Sequence, residues 1–148
     1  MQRCTTPNTP AVPARFFEAA MNTNAHNQLQ FIQDLRNALK RGEFYLDYQA
    51  KFHAISGEIA GAEALLRWRH PTRGVIEPDD FIPIAEKTGL IVTIGEWVLN
   101  EACRQMRAWH DVGYSNWKIA VNVSAIQFRQ DSLVELVEAT LCLLYTSP

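Results

Sequence analysis

Between Ile59 and Leu66 apolar residues follow one another without a helical repeat, and the run predicts a strand. Alternation sets Ile59, Gly61, Glu63, Leu65 and Arg67 on one face and Ala60, Ala62, Ala64, Leu66 and Trp68 on the other. The second face is apolar throughout, which predicts a cover of helices. Upstream, Phe44 to Phe52 alternates too, with Phe44, Leu46 and Tyr48 opposite Tyr45, Asp47 and Gln49. The turn at Ser56-Gly57 between the two runs is too short for a parallel crossover, so they predict an antiparallel hairpin.

Helical spacing brackets this hairpin. Phe31, Ile32, Leu35, Ala38 and Leu39 predict a helix from about Asn27 to Arg41, which Gly42 stops. A second helix is expected from Asp79 or Asp80 to Lys87, with Pro83 in its first turn and Gly89 after its end. A third follows, with Thr93 and Glu96 as a capping box, Val98, Ala102, Gln105, Met106 and Trp109 along one side, and Gly113 as its stop. Trp97 and Trp109 are read as core contacts rather than a base-stacking platform. Trp117 to Val123 predicts a third strand with Lys118, Ala120, Asn122 and Ser124 on one face. A last helix begins near Ser132, its stripe being Leu133, Leu136, Val137 and Leu141. Strands alternating with helices in this way predict an α/β fold with a mainly parallel sheet whose first strand is antiparallel.

Composition narrows the picture. The 148 residues suffice for one ordinary domain, and 47% apolar with 20% charged residues is a normal globular balance. A net charge of -2 supplies no electrostatic footprint for duplex DNA or RNA or for an anionic membrane. No stretch has the length and apolarity of a bilayer span or of a signal-peptide core. Cys4, Cys103 and Cys142 are widely spaced and form no metal-type pair, which suits a reducing cytoplasm. His26, His53, His70 and His110 lack metal spacing, and no phosphate-binding glycine loop or nucleophile elbow is present. Residues 1–27, rich in Pro, Thr and Asn, read as a linker.

Glu63 and Arg67 place opposite charges on an otherwise apolar strand, where burial requires partners. An internal ion-pair network would meet that need, and so would a ligand. Glu63-Ala64-Leu65-Leu66-Arg67-Trp68 followed by His70-Pro71-Thr72-Arg73-Gly74 resembles the signature of the EAL domain, the bacterial cyclic-di-GMP phosphodiesterase family. The resemblance continues through Phe81-Ile82-Pro83-Ile84-Ala85-Glu86, Gly89-Leu90-Ile91, Ile94 to Leu99 and Val121-Asn122-Val123-Ser124, covering roughly 29–141. It implies the N-terminal half of a modified TIM barrel, a fold of roughly 250 residues when closed. On this reading residues 28–141 are a truncated EAL domain and 142–148 a tail unlike the family. Arg15 to Met21 resembles the segment joining a GGDEF domain to an EAL domain.

The resemblance further implies Mg2+ or Mn2+ held by Glu63 and Asn122, a hard cation on hard oxygens. It implies cyclic-di-GMP contacted by Gln49, Leu66 and Arg67, pairing of two copies through the domain, and an upstream GGDEF or sensor domain. The implied reaction is hydrolysis to the linear dinucleotide pGpG in the cytoplasm. The chain departs from the family at Ala50, where Tyr-Gln-Pro is usual. The family's further acidic ligands, Asp-Asp-Phe-Gly segment, catalytic Lys and last Glu have no counterpart here, so the fragment alone is expected to be inactive. The alternative is a non-catalytic cyclic-di-GMP-binding or protein-interaction module, and a third reading is a fragment without a stable fold. Residue by residue, Asn122 could instead serve a strand end, Arg69 to Arg73 a solvated turn, and Glu86 a structural or rim contact.

Overall fold

The apolar run is the centre of the sheet. In the computed structural model, which describes residues 14–130 and 132–145, strand β1 (Phe44–Phe52) pairs antiparallel with β2 (Ile59–His70) along its whole length. The other side of β2 carries two short strands. One is β3 (Gly74–Ile76), antiparallel through Trp68, Arg69 and His70, and the other is β4 (Lys118–Val121), parallel through Gly61 to Ala64. The expected hairpin and the expected parallel third strand are both present, in an α/β arrangement, but the sheet is not mainly parallel as expected. Among the described residues two of its three ladders are antiparallel, because both neighbours joined to β2 by short turns must run against it. Strand β3 was not expected. The basic segment after Arg69 is a tight hairpin, its turn held by the Thr72 and Arg73 N–H groups donating to His70 Nδ1 at 3.2 Å each.

The helices are α1 (Ala14–Ala38), α2 (Pro78–Thr88), α3 (Leu90–Asp111), α4 (Ala125–Phe128) and α5 (Leu133–Tyr145). The chain forms two units, one ending at Asp34 and one beginning at Leu35. In the first, α1 starts well before the expected Asn27, since no Pro or Gly interrupts the residues from Ala14 to Arg41. Residues 1–13 of the expected linker and 146–148 of the expected tail lie outside the described residues. In the second unit, α1 closes as expected at Gly42, which has φ 65°. Its N–H donates to Leu39 O at 3.2 Å and that of Glu43 to Ala38 O at 3.0 Å, the paired bonds of a Schellman ending.

Two helix starts differ from expectation. Helix α2 begins with Pro78 in its first turn, so Pro83 lies inside the helix. Helix α3 begins at Leu90, not at a Thr93 capping box, because Gly89 at φ 77° ends one helix and begins the next. A capping box forms instead at α4, a helix the pattern did not predict: Ser124 and Gln127 bond reciprocally at its N-terminus. Among the described side chains of α5 the buried one is Thr140, whose hydroxyl donates to Leu136 O at 2.7 Å, and Leu141 is exposed.

The core lies on the face of β2 predicted to be covered. Ala62, Ala64 and Trp68 are buried there, as are Phe44, Phe81, Ile94, Val98 and Ala102 on the neighbouring elements. Among the described residues Trp68 is the largest fully buried side chain, with ring centroids of Phe44 and Phe81 at 5.9 and 5.6 Å and its Nε1 donating to Glu43 Oε2 at 2.9 Å. Trp97 and Trp109 pack on protein rings as expected, Trp97 against Phe44 and Trp109 against Tyr48 and Trp117. No helix among the described residues is long and apolar enough to cross a membrane.

Candidate functional site

The opposite face of the hairpin carries the polar residues. Antiparallel register sets Gln49 directly across from Glu63, Asp47 across from Leu65, and Lys51 across from Gly61, so their side chains share one side. Parallel register sets Glu63 beside Ala120 and Ala64 beside Val121, where the ladder ends. Asn122 is the next residue, and the strand's alternation turns it toward Glu63. The contact is direct: Asn122 Nδ2 donates to Glu63 Oε1 at 2.9 Å. Two residues 59 positions apart are thus brought together at the C-terminal end of the parallel ladder.

The second oxygen of Glu63 faces a cation. Lys51 Nζ lies 3.5 Å from Glu63 Oε2. The Asn122 amide first, and the Lys51 charge second, hold the Glu63 carboxyl below the ordinary glutamate range. A carboxyl whose pKa falls on folding adds stability that is fully present above its unfolded pKa and is lost as pH falls through the folded one. In the metal-free chain, carbon NMR of the Glu63 carboxyl should therefore show a midpoint below that of a free glutamate. A midpoint at or above it would mean that neither contact persists in solution.

Arg67 is held one step along the same face. Its Nε donates to Asp47 Oδ2 at 3.0 Å and its Nη1 to Leu66 O at 3.3 Å, and it keeps further donors of its fork for an anion. The ion pairs foreseen as the structural alternative are therefore present, but no member is deeply buried, and Asp47 and Lys51 are more than half exposed. Solvent screens exposed pairs of this type, so they add little to stability.

Leu66 points the other way. It lines a cavity of about 310 Å3 whose walls include Ile82, Ile94 and Val98, with Arg67, Asn122 and Glu86 also in its lining. Glu86 thus lines the same cavity. Arg69 lies over the Tyr45 ring at 4.7 Å from its centroid. The structure brings together Glu63, Asn122 and Gln49, places Arg67 beside them, and sets Leu66 on the cavity side. Sequence reasoning missed Lys51 and Asp47. Both follow from alternation along β1, but only once the hairpin register is known.

Among the described residues no three His, Cys, Asp or Glu side chains form a metal-type group. Glu63 and Asn122 supply two hard oxygen donors, a fit in kind to Mg2+ or Mn2+ and a part of the usual six. Asn122 now turns its nitrogen to Glu63, and half a turn of its amide would present the oxygen to a shared cation.

Comparison with known proteins places this geometry in context. A family model described as EAL domain matches residues 32–145. The bifunctional diguanylate cyclase/cyclic di-GMP phosphodiesterase MucR of Pseudomonas aeruginosa is 58% identical over 126 residues, which are 85% of this chain and 18% of MucR. Cyclic di-GMP phosphodiesterase NbdA of the same organism is 40% identical over 128 residues, 86% of this chain and 16% of NbdA. A solved structure titled as the PaMucR phosphodiesterase in complex with c-di-GMP is similar with a TM-score of 0.76 and 55% identity, covering 80% of this chain and 48% of that one. The chain spans less than a fifth of the length of these curated relatives and about half of the solved chain.

Proposed function

From the membership of this chain in the EAL-domain family, we propose that it supplies the metal- and ligand-contacting N-terminal portion of a phosphodiesterase that hydrolyses cyclic-di-GMP to linear pGpG. Its layers are those of the N-terminal portion of a TIM-barrel-like domain, in which reaction sites occupy the C-terminal ends of the strands. The observation that carries the proposal is the Glu63–Asn122 contact at that end, with Arg67 on the same face.

Each side chain then has a task. Glu63 and Asn122 hold Mg2+ or Mn2+, which when bound would activate water and polarise a phosphoryl oxygen. Arg67, braced by Asp47 and by the Leu66 carbonyl, directs its remaining N–H groups at a phosphate. Gln49 stands across the ladder from Glu63, within reach of the same ligand. The apolar cavity beside Leu66, with Glu86 in its lining, suits a flat purine base. The side chains that contact Glu63 here are those of Asn122 and Lys51, neither of them a carboxylate. We therefore place turnover in the longer protein, working in the cytoplasm and paired through this domain, with a GGDEF or sensor domain upstream.

Calorimetry of the 148-residue chain with cyclic-di-GMP and Mn2+ tests this reading. Binding is expected, weakened about tenfold or more by Arg67→Ala through loss of a charge-assisted phosphate contact. Release of pGpG is expected to stay at the level of buffer. Absence of binding, or equal binding by Arg67→Ala, would sink the assignment of Arg67, and turnover would sink the division of labour.

A further inference from the structure

The metal reading leaves Lys51 unexplained. Its position is specified closely. Register sets it opposite Gly61, which has no side chain to occupy that place, and the ladder shifts register immediately after it. Across this gap the ammonium reaches Glu63 Oε2 at 3.5 Å, while Oε1 is engaged by Asn122. Both oxygens of the candidate metal ligand are therefore satisfied by the protein itself.

We propose that Lys51 is a resident cation that occupies the outer oxygen of Glu63 until a divalent ion displaces it, a positioning residue that sets the threshold for metal binding. The inference rests on the assignment of Glu63 and Asn122 as metal ligands. An ammonium against one oxygen of a carboxylate and a divalent ion against the same carboxylate, shared with Asn122, repel each other strongly. Lys51 is about half exposed on a flexible four-carbon stem, so it swings into solvent at small cost. A monovalent ion offers Glu63 no more charge than the lysine does, whereas a divalent ion offers twice as much. The lysine thereby biases the site toward divalent cations and keeps the carboxylate aimed along the ladder in their absence.

The test is nitrogen NMR of the 148-residue chain titrated with Mn2+, read by paramagnetic broadening of the Asn122 side-chain amide. Lys51→Gln is expected to reach half-broadening at roughly three- to tenfold lower Mn2+ than the wild type, from the removal of one exposed competing charge. Lys51→Arg, which keeps the charge, is expected to resemble the wild type. In the unsubstituted chain, Mg2+ should move the Lys51 Cε resonance toward that of free lysine, a readout that needs no variant. Unchanged or weaker Mn2+ binding by Lys51→Gln, or a Cε resonance indifferent to Mg2+, overturns the role of Lys51 while leaving the metal site standing. No selective broadening of Asn122 in any form removes the metal site, and this inference with it.

Discussion

Replacing Gly61 with alanine is expected to detach strand β4 from β2 and to lower the unfolding free energy by about 3 kcal/mol or more. Gly61 has φ 151°, a conformation that side-chain-bearing residues rarely adopt. An added Cβ would lie only 1.8 Å from the Lys118 backbone oxygen and 2.7 Å from its nitrogen. Both obstacles are main chain, so no rotamer change relieves them. The parallel ladder comprises four residue pairs, from Gly61↔Lys118 to Ala64↔Val121, and the clash strikes its first pair. Asn122 depends on that ladder for its place beside Glu63, so the candidate site should be lost together with the pairing. Urea unfolding compared with the wild type measures the first effect, and the Asn122 side-chain amide resonance reports the second. A shift below about 1 kcal/mol with the amide signal unmoved would show that the strands tolerate a Cβ where the geometry forbids it.

Trp68→Ala is expected to cost about 3–5 kcal/mol, the range for truncating a fully buried large aromatic residue. Trp68 is inaccessible to solvent and touches Phe44, Phe81 and His70. Its removal also takes the indole N–H from Glu43 Oε2, leaving a carboxylate that is 8% exposed with Arg41 at 3.7 Å. Trp68→Phe separates the two contributions: it keeps most of the packing and loses the donor, for about 1–3 kcal/mol. Equal melting temperatures for Trp68→Phe and Trp68→Ala would mean that the hydrogen bond, not the ring, anchors this end of β2.

Much of this was legible in the sequence because a strand has a period of two residues. Alternation alone separated the Glu63 and Arg67 face from the Ala62, Ala64 and Trp68 face, and the structure buries the second as expected. The short turn after β1 sufficed to specify the hairpin. What escaped depends on distance along the chain or on very short elements. Asp47 and Lys51 become partners of Arg67 and Glu63 only in one particular register, which no local pattern encodes. Strand β3 and helix α4 are three and four residues long, below the length at which periodicity is visible. The start of α3 was misplaced because Gly89, read only as a stop, also opens the next helix. Leu141 was assigned to the buried stripe by hydropathy, whereas Thr140 satisfies its hydroxyl within its own helix and takes the place.

The arrangement of partners around β2 also bears on the order in which the molecule assembles. Its contacts with β1 and β3 are local hairpins, which form within microseconds. Its ladder with β4 joins Gly61 to Lys118, across two intervening helices, and such non-local closure is slow. Glu63 therefore acquires its β1 neighbours early and Asn122 late. During folding, the carboxylate that the proposed chemistry needs is accompanied first by Lys51 and only afterwards by its amide partner. The polar cluster becomes complete in the same event that pairs β4 with β2.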